Sequence, residues 1–228
     1  MIILDYSQVA LSNIFQFQND LKKDKASPDA VNIIRHAILT GIKFYKKKYG
    51  REYGDVVLAC DGKQYWRKDI FPYYKASRSK TREKSDLDWK LIFDTISQIR
   101  EDIAEHFPYH VVHLDHVEGD DVIATLCKWT QTNGMVVFVT EGARQKKMTS
   151  KRLADFIEFG RDACINEEEQ RNWDRNNLLI NLDNIPAAIQ EQILDTYISN
   201  KPKGDKMSIY NYLVKHRCRL LLDEIEEF

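Results

Sequence analysis

The chain has 228 residues, a length that suits one domain or two small ones. It is 43% hydrophobic, enough for a real core, and 30% charged with a formal net charge of only -1. Overall charge therefore points to no polyanion, and any nucleic-acid surface has to come from how the charge is distributed. Four cysteines, Cys60, Cys127, Cys164 and Cys218, form no CxxC pair, and the first two sit inside apolar runs. They read as free thiols of a reducing cytosol rather than as a disulfide frame or a zinc site. No apolar run approaches the ~20 residues of a membrane span. The start, "MIILDYSQVA", lacks the basic leader and cleavage site of a signal peptide.

In chain order, "MIIL" reads as a short buried strand ending at Asp5. Ile33, Ile34, Ala37, Ile38, Ile42 and Tyr45 recur at helical spacing and predict a helix over 27–49. Ser27 is its candidate N-cap, Pro28 its first residue and Gly50 its stop. "DVVLAC", 55–60, is a second buried strand, and it runs out at Asp61. A polar, basic stretch occupies 62 to about 85. Leu87, Ile92, Ile96, Ile99 and Ile103 then mark a helix over 87–106. "YHVVHL" is a third strand, leading to Asp115, Glu118 and Asp120 and a helix of about 12 residues. After Gly134 comes "MVVFVT", a fourth strand. Alternating strands and helices, with short continuous apolar strands, predict an α/β fold: a mostly parallel sheet with helices on both faces. Beyond Thr140 the pattern turns helical, which predicts a smaller helical C-terminal domain over 141–228 after an α/β domain over 1–140. Leu220, Leu221, Leu222 and Ile225 in its last segment fit a core as well as a docking face.

Crossovers in a parallel sheet bring the C-terminal ends of the strands to one edge, where ligands bind. Asp5, Asp61 and the pair Glu118 and Asp120 converge there from three segments. Carboxylates gathered in this way repel one another and raise each other's pKa. A hard divalent cation, Mg²⁺ or Mn²⁺, resolves the conflict with oxygen ligands alone. A purely structural use is open too: Asp5 can cap the helix that follows it, and Glu118 the next. His106, His110, His113 and His116 cluster around one strand, but alternation puts them on mixed faces and no cysteine lies at zinc spacing.

Residues 63–84 carry Lys63, Arg67, Lys68, Lys75, Arg78, Lys80, Arg82 and Lys84 against Asp69 and Glu83. Tyr65, Trp66, Phe71, Tyr73 and Tyr74 are interleaved. Cations neutralise phosphates and aromatic rings stack on unpaired bases, so this stretch is the candidate nucleic-acid surface. It leaves directly from Asp61 and so overhangs the acidic edge. A second basic run, "KFYKKKYGR" at 43–51, reads as a solvated helix end.

Taken in order, "ILDYSQVAL", "VVLACDGKQYWRKDIFPYYKASR", "DHVEGDDVIA" and the closing "IYNYLVKHR" resemble the 5′-nuclease (flap endonuclease) family, with its PIN-like core. Arg67, Tyr74-Lys75 and Arg78 match an R...YKxxR arch pattern spanning about 63–90, and 118–121 match an ExDD motif. The resemblance implies that Asp5, Asp61, Glu118 and Asp120 hold the first of two Mg²⁺ or Mn²⁺ ions. It implies that Lys75 and Arg78 meet the scissile phosphate, with Arg67, Tyr74, Lys80 and Arg82 also on nucleic acid. It further implies a monomer that cleaves flap or forked DNA and RNA–DNA hybrid primers in phage DNA replication, in the cytoplasm of an infected bacterium. The implied partners are a phage single-strand DNA-binding protein and a sliding clamp, with no membrane. One departure stands out. The family's second aspartate pair (SxDxD) and its duplex-gripping GDxxDN string have no counterpart after Thr140, where "VVFVT" runs into "EGARQKK". Several dozen residues are therefore expected between Thr140 and Glu141 in the complete protein. Two other classes compete: a Mg²⁺-dependent phosphohydrolase or phosphoacceptor domain, and a non-catalytic DNA-binding module.

Overall fold

The computed structural model describes residues 1–23, 27–133, 138–139 and 150–228. Four parallel strands form one sheet in the order β3-β2-β1-β4: β1 Ile2–Asp5, β2 Val56–Cys60, β3 His110–His113 and β4 Phe138–Val139. Alternation along the strands divides the core. Ile2, Leu4, Val56, Leu58 and Cys60 face one side of the sheet; Ile3, Val57, Ala59 and Val112 face the other. Both sides are covered, which is why the strands read as unbroken apolar runs.

The first side is covered by α1 (Tyr6–Ile14), α2 (Ala30–Tyr53) and α5 (Trp89–His106). Residues 6–14, unassigned by periodicity, form α1 because Asp5 caps them and Tyr6, Val9, Ala10 and Ile14 are buried. The α2 helix departs from the expected 27–49 at both ends. It starts after Asp29, and Gly50 does not stop it, because a mid-helix glycine costs only about 1 kcal/mol. Tyr45, Tyr49 and Tyr53 pack one turn apart against the core, and Gly54, at φ 85°, ends the helix.

The second side is covered by α6 (Gly119–Thr132) and by α9 (Ala187–Ser199), whose Ile193 is buried there. The α10 helix (Lys206–Lys215) and α11 (Arg219–Leu222) join the first side through Ile209, Tyr212, Leu213 and Leu221. This corrects the expected boundary at 140/141. One compact unit comprises 1–140 with 188–228, and 141–187 form another. The closing segment is core: Leu221 and Phe228 are buried, Leu222 and Ile225 pack against the same cluster, and Leu220 alone of the four candidates is exposed. Phe228 meets the Phe107 ring edge-on at 5.4 Å, and the Tyr109 hydroxyl donates to its carbonyl at 3.1 Å. Among the described residues of the second unit are α7 (Ser150–Phe159) and α8 (Glu167–Ile180), with Asn166 capping α8 and an Arg161–Asp174 ion pair at 2.8 Å. The 140–141 junction lies outside the described residues.

Between β2 and α5 the basic stretch forms two short helices, α3 (Trp66–Ile70) and α4 (Ser77–Glu83). Leu87, at their far end, makes a bridge to Lys22, which ties the stretch to the core. Among the described residues no helix is long and apolar enough to cross a membrane.

Candidate functional site

The site begins with three tight backbone junctions on the C-terminal edge of the sheet. Asp5 closes β1, and its Oδ1 accepts the Gln8 N–H at 2.9 Å as the cap of α1. Asp61 follows β2, and its Oδ1 accepts the Gly119 N–H at 2.9 Å, tying β2 to the start of α6. Gly62 passes so close to the loop after β3 that a Cβ would lie 2.3 Å from the Leu114 carbonyl; its N–H donates to Val117 O at 2.7 Å. The chain there admits only glycine.

The charges of Asp61 and Asp120 both act on Asp5. Burial pushes the Asp5 carboxyl up to about 6, the Gln8 bond opposes this, and the charges of Asp61 and Asp120 add to it. Between the unfolded value of 3.8 and about 6, the folded chain keeps a proton on Asp5 that the unfolded chain releases. Stability from this group is thus present at low pH and lost as pH rises through about 6. Asp5→Asn keeps a capping oxygen for Gln8 and removes the charge. In metal-free protein it is expected to be more stable than wild type near pH 8, by up to about 3 kcal/mol, and equal to it near pH 4. Thermal melts at the two pH values decide this; the same shift at both would return Asp5 to the ordinary carboxylate range.

Glu118 behaves differently. It occupies the N-cap position of α6 and is 2% exposed. Both of its oxygens are taken by the basic stretch. Arg67 donates to Oε2 at 2.7 Å, the Tyr74 hydroxyl donates to Oε2 at 3.1 Å, and Lys75 Nζ donates to Oε1 at 2.5 Å. Burial, then the Glu118 charge, pushes the Tyr74 phenol up.

Arg67 is not on the surface. It is 1% exposed and forks onto Asp121, with bonds of 2.8 and 2.6 Å, as well as reaching Glu118. The Trp66 indole N–H donates to Asp121 at 3.1 Å, and Asp121 accepts the Glu118 backbone N–H at 3.0 Å. This corrects the expectation that Arg67 contacts nucleic acid: a guanidinium enclosed by two carboxylates has no face left for a phosphate. Asp121 is the residue that reasoning from motif chemistry missed. Its signal was present, since Asp121, Val122, Thr125 and Leu126 make one buried helical stripe, whereas Asp120 falls on the exposed side.

Tyr74, Lys75, Arg78 and Arg82 line an open basic surface. A cavity of about 350 Å³ runs from Asp61 past Lys63 and Tyr65 to Arg78, Arg82 and Arg100. A second, of about 430 Å³, is lined by Lys63, Tyr65, Lys68, Tyr74, Lys75, Arg78 and Arg82. Arg82 lies over the Phe93 ring at 4.6 Å, and Lys75 lies 5.5 Å from the Tyr65 centroid. Lys80 is exposed on α4 and lines neither cavity.

Among the described residues no three His, Cys, Asp or Glu side chains close on a common point that would hold a metal. The donor chemistry nonetheless fits a hard cation. Asp5, Asp61 and Asp120 offer oxygen only and carry a mutual repulsion with an elevated Asp5 pKa, and Glu118 already holds a cation, the Lys75 ammonium.

Residues 1–146 match the family model described as 5′-3′ exonuclease, N-terminal resolvase-like domain. The chain belongs to the 5′-3′ exonuclease family. That matched region contains the whole acidic edge and the basic stretch. Residues 120–228 match a second family model, described as T4 RNase H, C terminal. Ribonuclease H of Enterobacteria phage T4 is 35% identical over 140 residues, which is 60% of this chain and 44% of that protein's length. The chain thus spans under half of this relative's length in alignment.

Proposed function

We propose that the chain is a divalent-metal-dependent 5′ nuclease that hydrolyses phosphodiesters of flap or forked DNA and of RNA–DNA hybrid primers. The observation that carries this reading is the juxtaposition of the mutually repelling Asp5, Asp61 and Asp120 with a basic, aromatic-lined cavity that opens from Asp61. Asp5, Asp61, Asp120 and Glu118 would hold Mg²⁺ or Mn²⁺, two ions in the complete site. When bound, the cation supplies Lewis-acid neutralisation of the charge that builds on a phosphate under attack. The chain's own side chains do the rest. Arg78 and Lys75 position the phosphate over the acidic edge as point charges. Tyr65 and Tyr74 offer ring faces to a base that has left its stack. Lys80 and Arg82 extend the cationic track along α4 for the strand beyond.

The relative's name, ribonuclease H, supports an RNA–DNA hybrid as one substrate, and its phage origin supports a role in phage DNA replication inside an infected bacterium. A single-strand DNA-binding protein and a sliding clamp are the proposed protein partners of a monomeric enzyme. The deciding assay offers purified protein a 5′-labelled flap duplex and a 5′-labelled RNA–DNA hybrid, with Mg²⁺ and with a chelator. Metal-dependent release of short 5′ products is expected. Tight flap binding without cleavage in Mg²⁺ or Mn²⁺ would favour a non-catalytic binding module, and hydrolysis of a small phosphomonoester alone would favour a phosphohydrolase.

Lys75→Ala and Arg78→Ala are each expected to slow cleavage. In direct binding each lost phosphate contact should lower the dependence of log K on log salt by about 0.7–0.9. An unchanged slope with an unchanged rate would return the stretch to a solvated loop.

A further inference from the structure

The cavity that opens from Asp61 has an inner end that the proposed cleavage does not use. Its floor is the end of the sheet, where Cys60 of β2 and His113 of β3 lie side by side in register. One wall is α1, through Ser7 and Leu11. The other is α5, where Phe93, Ile96, Ser97 and Arg100 recur at three- and four-residue spacing on one helix face. The Tyr6 hydroxyl donates to the Ile96 carbonyl at 2.8 Å and ties the two walls together. Arg100 is the unusual member. Its side chain is only 15% exposed, yet its ion pair is with Glu101, which is 3.5 Å away and 64% exposed. No other ion pair reaches it among the described residues. His113 Nε2, on the same cavity, is buried without a hydrogen-bond partner. Burial, then the Arg100 charge, lowers the His113 pKa, so the guanidinium is within electrostatic reach of that ring. A largely enclosed cation near an unsatisfied ring nitrogen has spare capacity for an anion. The balance of charge around the cavity agrees, with Lys63, Arg78, Arg82 and Arg100 against Asp61.

We propose that this inner end receives the 5′-terminal phosphate of the strand to be cut. A guanidinium takes two oxygens of a phosphomonoester at once. His113 Nε2 and the Ser7 and Ser97 hydroxyls border the same space and can donate to the remaining oxygens. Leu11, Phe93 and Ile96 offer an apolar wall to the sugar and base of the terminal nucleotide. The volume, about 350 Å³, is at the small end of ligand pockets and suits such a terminal group. Asp61, at the mouth, repels the phosphate towards Arg100. The inference rests on the nuclease reading and deepens it, because it names the strand end that the enzyme selects. A 5′ end held here lies in the cavity that opens from the acidic edge. A 5′ phosphate therefore favours nicked and recessed ends over long flaps, whose termini lie far from the cut.

The test reads binding in excess chelator. Internally labelled single-stranded oligonucleotides of one sequence carry a phosphate at the 5′ end, at the 3′ end or at neither, and fluorescence anisotropy gives each Kd. The first two have equal charge, so a difference between them reports where the phosphate is. Wild type should bind the 5′-phosphate form about tenfold more tightly than the 3′-phosphate form, the worth of one charge-assisted hydrogen bond. Arg100→Met should remove that ratio, and Arg100→Lys should keep part of it. Lys80→Ala, outside the cavity on α4, should weaken all three forms and leave the ratio. Ser97→Leu fills the cavity without touching a charge and should also remove the ratio; it decides the matter if Arg100→Met melts far below wild type. Equal binding of the 5′- and 3′-phosphate forms by wild type would overturn the proposal. A ratio kept by folded Arg100→Met or Ser97→Leu would do the same. Inorganic phosphate that raises the melting temperature of wild type but not of Arg100→Met, while the oligonucleotides bind alike, would assign the cavity to the free ion instead. Failure of the nuclease reading looks different: flap and hybrid stay uncut in Mg²⁺ while the 5′-phosphate ratio is intact, which supports a strand-end receptor on a binding module.

Discussion

Asp120→Asn is expected to abolish cleavage while leaving fold and flap binding in place. Asp120 is exposed in the first turn of α6, on the side away from the buried stripe, so no packing is lost with its charge. The fold effect is confined to a weaker interaction with the helix dipole, about 0.3–1 kcal/mol. The catalytic effect is far larger. On the proposed metal-dependent reading, losing this carboxylate weakens both cation binding and the neutralisation of phosphate charge, a contribution of several kcal/mol. At 1.36 kcal/mol per decade that is a fall of about a thousandfold in rate at fixed Mg²⁺. Single-turnover cleavage with saturating enzyme separates this from weaker substrate binding, and a thermal melt checks the fold. A normal single-turnover rate for the variant in Mg²⁺ would sink the assignment of Asp120 as a ligand.

The ease with which the acidic edge is read from sequence has a physical reason. Strands buried on both faces are continuous apolar runs, and a carboxylate ending such a run is conspicuous. Asp5 and Asp61 therefore stand where the strings "IILD" and "VVLACD" put them. The order of the strands follows from right-handed crossovers only in outline, and no local pattern says that β1 lies between β2 and β4. The allegiance of 188–228 is less visible still. Ile193 or Tyr212 on an amphipathic helix signals burial but not against which partner, and here the partner is the α/β core. Gly50 misleads in another way, because the tyrosine ladder of α2 outweighs one glycine.

The basic stretch shows the limit most sharply. Counting charges treats Arg67 and Arg78 alike, because both are cations in one run. What separates them is the tertiary meeting of α3 with the first turn of α6, which buries Arg67 against Asp121 and leaves Arg78 exposed. The same meeting separates Asp120 from Asp121, so the ExDD string holds one exposed acid and one structural clamp.

Arg67→Ala is accordingly expected to damage the fold rather than the substrate contact. It leaves Asp121 and Glu118, both at most 2% exposed, without the guanidinium that neutralises them. Breaking a buried ion pair from one side costs about 3–5 kcal/mol. For a chain of this size each kcal/mol moves the melting temperature by about 2–4 °C, so a loss of roughly 10 °C follows. Arg67→Met combined with Asp121→Leu removes charge from both sides and should recover part of the stability. It cannot recover all, because the Trp66 indole and the Glu118 backbone N–H lose their acceptor. Lys75 still pairs with Glu118 in that double variant, which limits the remaining penalty on that carboxylate. Thermal unfolding of wild type, single and double variants measures the ladder directly. If Arg67→Ala melts within a degree or two of wild type at neutral pH, the guanidinium is not enclosed as described, and Arg67 returns to the list of candidate phosphate contacts.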